Sequence, residues 1–313
     1  MQQLRQGLRV LAVVAVLAML AAACGSTEPD SGGGGGGGDS AAKNVTVKLG
    51  SNDFTEQFIL GEIYKQGLEK AGYTVQYQKG LGSREVVFPA LESGQLDMYV
   101  EYAGSALQIL AKQEPSKDAN QVLADLTTFL ATKGVRPLQQ APMEDKNALT
   151  VTKETADKYS LKTISDLARV PDKLVMGGPP ECKDRDTCYK GLQDAYGLQN
   201  LAFKSISQGG LKYSALESGD IQVALSFTTD GPIAKQGLIV LEDDKGVFPP
   251  DHAVPVVREQ FLSSAGAEFE QAVNKLSAAI TTEEITKLNA KVDLDKEEPA
   301  DVAGQWLQEK GLV

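Results

Sequence analysis

The chain reads as an α/β protein of two similar lobes that share a cleft. Strand and helix patterns alternate from the start of the folded body, and words from the first half recur in the second at an offset of 125 residues. Composition says which chemistries such a cleft is not built for. The 313 residues carry 31 Lys and Arg against 42 Asp and Glu, a net charge of −11, with a pI of about 4.8. Phosphate backbones reward clustered cations, so this balance excludes a broad nucleic-acid surface. The lone His252 excludes most zinc sites and leaves one imidazole for Ser–His or Cys–His catalysis. No cofactor or metal is expected.

Residues 1–23 read as a signal peptide: Arg5 and Arg9, an apolar run over Val10–Leu20, then Ala21-Ala22-Ala23. Cys24 follows directly, which resembles a lipoprotein cleavage box with Ala21 where Leu is usual; the alternative is an ordinary signal with an incidental Cys. Residues 24–44 are then a lipidated Cys24 and a flexible linker, with Gly32–Gly38 unbroken. Such a leash reaches at most roughly 60 Å. No other segment approaches the ~20 apolar residues that span a bilayer. Cys182 and Cys188 remain as an even pair in an exported protein, and their polar, turn-like segment predicts a small disulfide loop.

The body opens with a strand, Val45–Leu49. After the loop Gly50–Asp53 comes a helix that Asp53 caps, with Glu56 completing a capping-box-like pair. Ile59, Ile63, Gly67 and Ala71 recur at helical spacing and face the core. Tyr73–Tyr77 alternates like a half-buried strand, and Val86–Leu91 returns to helix. Ala90-Leu-Glu-Ser-Gly94 then recurs as Ala215-Leu-Glu-Ser-Gly219. In the same register Tyr64-Lys65 matches Tyr189-Lys190, Gly72 matches Gly197, Lys79 matches Lys204, and Tyr102 matches Phe227. Each copy ends a helix at its Gly and starts a buried strand, Leu96–Val100 or Ile221–Leu225. Ligands of open α/β sheets sit beyond the carboxyl ends of the strands, where both copies deliver an aromatic, Tyr102 and Phe227. Val247–Pro255 is a Pro-rich crossing, followed by helical patterns over Phe269–Leu276 and Glu283–Asn289. The last stretch, with Trp306, packs back on the first lobe.

Ser51–Gln57 with Ile59–Glu62, Tyr99–Ser105, Thr229-Asp-Gly231, Leu241–Gly246 and Phe248-Pro-Pro250 resemble the osmoprotectant-binding proteins of ABC importers, the glycine betaine, choline and carnitine class. The likeness runs from about Val45 to Leu312 in the family's order and spacing. It implies a class II periplasmic-binding-protein (Venus-flytrap) fold that closes on a small zwitterionic or cationic solute. Lobe 1 would comprise 45–146 and 249–313, lobe 2 would comprise 147–248, and the hinge would lie near Asn147 and Phe248–Pro250. A quaternary ammonium has no N–H, so aromatic faces hold it by cation–π attraction. Carried over by motif, Tyr102 and Phe227 are walls, Ser105 supplies a hydroxyl, and Thr228 follows the second wall. Gln57, in the first helical turn, and Arg185, in the disulfide loop, are anion contacts. Asn52, Asn147, Asp251 and His252 complete the expected site. The implied partners are an ABC permease with its ATPase and, through the lipid only, the cell membrane; the protein acts outside the cytoplasm, as a monomer and without catalysis.

The chain departs from the family pattern at three places. It reads Asn147-Ala148-Leu149 where Asn-Thr-Tyr is common, Asp251-His252 where Tyr often follows the prolines, and Asn52 where Lys is frequent. Two cage rings are thus missing and a carboxylate replaces one, so a bulkier betaine, an aromatic amine or another polar solute is the alternative cargo. Without the resemblance, Tyr102 and Phe227 read as core aromatics, Gln57 as a helix-start side chain, Arg185 as a solvated charge and His252 as a loop histidine. Asp243-Asp244 reads as a solvated turn, short of a calcium loop. Two rival functions stay open: a cleft enzyme using Glu101 with Asp251 as acid and base, and a ligand sensor that does not transport.

Overall fold

A computed structural model describes residues 45–206 and 210–313. The expected signal peptide, Cys24 and the linker lie outside the described residues. Among the described residues ten strands form two five-stranded sheets. The first joins β1 (Thr46–Gly50), β2 (Thr74–Gln78), β3 (Met98–Tyr102), β4 (Val135–Pro137) and β10 (Ala253–Arg258) in the order β2-β1-β3-β10-β4. The second joins β5 (Asn147–Val151), β6 (Leu174–Gly178), β7 (Leu201–Ser205), β8 (Val223–Phe227) and β9 (Ile239–Leu241) in the order β7-β6-β8-β5-β9. Each sheet has three parallel strands and then an antiparallel one, β10 or β5, that arrives from the other sheet.

The repeat is a repeat of structure. β3 and β8 start 125 residues apart, at Met98 and Val223. Gly94 and Gly219 take φ of +78° and +79°, a conformation open to Gly because it lacks Cβ. Their N–H groups donate to Leu91 O and Leu216 O, and those of Leu96 and Ile221 to Ala90 O and Ala215 O. One residue on, the Asp97 and Gln222 side chains each accept an N–H from the neighbouring strand, from Lys48 and Val175, at 3.0 Å. Identical caps thus aim two strands at one place.

The first sheet is buried on both faces. Met98, Val100 and Tyr102 point into a core with Ile59, Ile63, Phe269 and Trp306, while Tyr99 points to the other face with Leu91 and Leu126. Trp306 therefore packs on the first sheet's core, and its indole N–H donates to Glu284 at 2.8 Å. The second sheet has one large core, around Leu149, Met176, Leu192 and Leu225, and a thin second layer of Leu216, Ile221 and Ala224.

Two crossings join the sheets side by side. Asp145 N–H donates to Asp251 O at 3.0 Å, and Glu144 bridges His252. Asp243 ties the return crossing by accepting the Val247 and Phe248 N–H groups at 3.0 and 2.7 Å, so the Asp243–Gly246 turn is a fastening rather than a merely solvated bend. The Thr282–Asp293 helix also touches the second sheet's side. At Gly231 an added Cβ would lie 2.7 Å from Ala290 Cα, so only Gly fits there. Cys182 and Cys188 are disulfide-bonded, with Cα atoms 5.2 Å apart. No described helix is long and apolar enough to cross a membrane.

Candidate functional site

A cavity of about 450 Å³ opens where the carboxyl ends of β3 and β8 converge. Tyr102 from the first sheet and Phe227 from the second both line it. Phe54 adds a third ring, 42% exposed, stacked on Tyr102 with centroids 6.1 Å apart and planes 28° from parallel. The expected Asp53–Glu56 capping pair does not form: the helix starts at Thr55, its cap residue is Phe54, and no side chain caps it. Glu56 turns into the cavity instead. Its oxygens accept Tyr102 OH at 2.6 Å and Asn289 Nδ2 at 2.7 Å.

Carboxylates dominate the remaining polar lining. Asp145, on the first crossing, accepts Thr229 OH at 2.8 Å. Asp251, on the return crossing, accepts Ser105 N–H at 3.0 Å and its hydroxyl at 2.6 Å. Asp230 is balanced by the buried Lys212, at 2.8 Å. Arg84 reaches the cavity but pairs with the buried Glu101 at 3.0 Å. Burial raises the Glu56 and Asp145 carboxyls above their ordinary range, Asp145 strongly and with added repulsion from Glu56. Burial also pushes Asp251 up to about 6, against the Ser105 hydrogen bonds. Desolvation thus disfavours the ionised form of carboxyls that stand beside stacked rings, and an entering cation that stabilises their charge would be attracted there.

The family model for the substrate-binding domain of the ABC-type glycine betaine transport system matches residues 45–309. The chain belongs to this family. It is 32% identical to the Glycine-betaine-binding protein of Pseudomonas aeruginosa, covering 87% of this chain and 90% of that one. It is likewise 32% identical to the Carnitine transport binding protein OpuCC of Listeria monocytogenes, covering 84% and 86%. A crystal structure of a glycine betaine/carnitine/choline ABC transporter protein superposes with a TM-score of 0.79 at 31% identity, over 85% of this chain and 99% of that one. The family's two-lobed class II binding-protein fold is the one described above.

Of the residues the sequence points to, Tyr102, Ser105, Phe227 and Asp251 line the cavity. The other expected family-site residues lie elsewhere. Asn52 and Gln57 are buried behind the wall, with the Asn52 N–H directed to Gln57 Oε1. Asn147 sits in the ladder opposite Phe227. Thr228 bridges the crossing, accepting Lys146 N–H and donating to Glu144 O. His252 ties onto the same crossing through Nδ1, 2.9 Å from Met143 O, and is not among the lining residues. Arg185 lines a second cavity with Gln108, Ile109 and Glu114, away from the acidic one. Sequence reasoning missed Phe54, Glu56, Asp145, Thr229 and Asn289. Phe54 had a signal, an aromatic at a helix start with no core to fill. Asn289 had none, being 233 residues from the Glu56 it contacts.

Proposed function

We propose that this protein is the extracytoplasmic receptor of an ABC importer for a quaternary-ammonium or betaine-type osmoprotectant. The acidic cavity carries the reading: three rings, from Phe54, Tyr102 and Phe227, stand beside the Glu56, Asp145 and Asp251 carboxylates. Ring faces hold a methylated cation by cation–π attraction and dispersion, and the carboxylates supply counter-charge. Closure of the lobes about the 144–145 and 251–252 crossings excludes water, and the closed form docks on the permease and its ATPase. Cys24 carries the lipid, residues 25–44 tether the body, and the protein works as a monomer with 45–146 and 249–313 in one lobe and 147–248 in the other.

The protein makes and breaks no bond. Glu101, the acid–base candidate, is spent on Arg84 and two tyrosine groups, and Asp251 on Ser105. Leu149 and Asp251, standing where the family pattern commonly has Tyr, favour as second reading a bulkier or aromatic polar solute.

Calorimetric titration with glycine betaine, choline and carnitine tests the assignment. Micromolar binding of at least one is expected. Silence from every quaternary ammonium would remove the solute class while leaving the family. Cys24→Ser should release the protein from the membrane fraction; retention there would remove the anchor.

A further inference from the structure

The duplication reaches the surface. In the helix Arg84–Glu92 the inward positions are Val87, Phe88 and Leu91; in the helix Gly210–Glu217 they are Lys212, Tyr213 and Leu216, each 125 residues on, and all six are buried. The two helices thus turn the same face to their sheets. At the position just before, Val86 is 54% exposed and Leu211 is 69% exposed, the two most exposed large apolar side chains among the described residues. They too are 125 residues apart. The next three, Phe54, Val240 and Leu294, meet Pro179, Pro115 and Arg169 at that offset. A single aliphatic side chain in water needs no explanation, but the same position left exposed in both copies does.

Both side chains flank the cavity. Arg84, two residues before Val86, lines it, and Lys212, next to Leu211, bonds the lining Asp230 at 2.8 Å. Val86 also borders a surface groove of about 380 Å³ with Leu81, Pro89 and Ala90. A partner that fits two equivalent apolar knobs shows one socket twice, as a two-fold pair of subunits does. The net charge of −11 disfavours the rival occupants, a second copy of this chain and an anionic lipid surface.

Resting on the proposed importer reading, we infer that Val86 and Leu211 are paired apolar contacts that seat the protein on its permease, one knob on each of two symmetry-related permease subunits. Because the knobs ride on different sheets, closure of the cleft sets the spacing that the sockets meet.

The permease complex, tagged, purified with its ATPase and reconstituted in liposomes, is the probe. With Val86 or Leu211 of the full-length protein replaced by the photoreactive p-benzoylphenylalanine, illumination should join both sites to permease subunits, while the same group at the exposed Leu294 should give no adduct. Equal adducts from Leu294, or adducts from one knob alone, would overturn the inference. Val86→Ser and Leu211→Ser should each weaken docking about tenfold, the worth of burying part of one aliphatic side chain, and together about 100-fold. Calorimetric binding of choline, glycine betaine and carnitine should match the unaltered protein, since neither residue lines the cavity. Docking should change little between about 0.05 and about 0.5 M salt; a steep fall would make the contact ionic and overturn the inference. Variants that dock as well as the unaltered protein, or adducts to a second copy or to liposomes lacking the permease, would overturn it and leave the importer reading standing. An unaltered protein that docks on no permease complex would overturn the importer reading itself.

Discussion

The two lobes finish the same repeat in opposite ways. In the second, β8 ends at Phe227, whose N–H donates to Asp230 at 3.0 Å, and Lys212, 3% exposed, balances that Asp230. In the first, β3 ends at Tyr102, whose hydroxyl donates to Glu56, and no Lys or Arg of the described residues is seen paired with Glu56. The glycine caps and the strand starts repeat the same φ and hydrogen bonds; the charge at the strand end does not repeat. Duplicated backbone brings a ring from each sheet to one cavity, while the difference between copies pairs the carboxylate with a cation at one strand end and leaves it hydrogen-bonded to a tyrosine at the other. A carboxylate beside one ring adds counter-charge to the cation–π attraction that both rings supply.

The comparison can be broken at its neutral side first. Asp230→Ala takes the carboxylate from buried Lys212 and the acceptor from Phe227 N–H, and should cost about 3 kcal/mol in denaturant unfolding. Glu101→Gln, the matching change in lobe 1, should cost less because Arg84 borders the cavity; an equal or larger cost would erase the distinction. At the rings, Tyr102→Ala should lower choline affinity about 30-fold, from loss of a desolvated cation–π contact of about 2 kcal/mol, and Phe227→Ala about tenfold. Unchanged titrations would make both rings core aromatics. Between the lobes, Gly231→Ala forces a Cβ within 2.7 Å of Ala290 backbone and should lower the melting temperature by overpacking of about 1–2 kcal/mol. A wild-type Tm would mean the Thr282–Asp293 helix does not bear on lobe 2.

A pH slope gives a further check. The Asp251 carboxyl is raised in the fold from 3.8 to about 6, so the folded form holds a proton that the unfolded chain has released. Its contribution to stability is whole below pH 4 and is lost as pH rises through 6. Ser105, Arg84 and Glu101 act on the same group, and Asp145 lies across the crossing. Asp251→Asn should flatten this part of the apo stability curve; an unchanged slope would place the titration elsewhere, in Glu56 or Asp145.

Much of this architecture is legible in the sequence because short-range rules write it. The Gly at each helix end, the alternation of β2 and the apolar run of β3 need only local sterics and burial, and the repeat offset states outright that Tyr102 and Phe227 are equivalent. The acidic wall is not legible in that way. A Glu in a first helical turn reads as a cap, and nothing local says that Glu56 will instead meet Asn289 from a helix 233 residues later. His252 misleads for the same reason: its neighbours in sequence suggest a pocket, while its ring is held by carbonyls of Ala141 and Met143 on the other crossing. Contacts across the chain decide charge, and motif order does not record them.

The central claim is that the cavity holds a positive charge through its rings and carboxylates. Calorimetric titration with choline and with its neutral carbon isostere, in which a quaternary carbon replaces the nitrogen, tests this most directly. Shape and apolar surface are the same; only the charge differs. The account predicts that choline binds and that the isostere binds at least about 100-fold more weakly, a loss of both ring attraction and counter-charge. Equal affinities would contradict it.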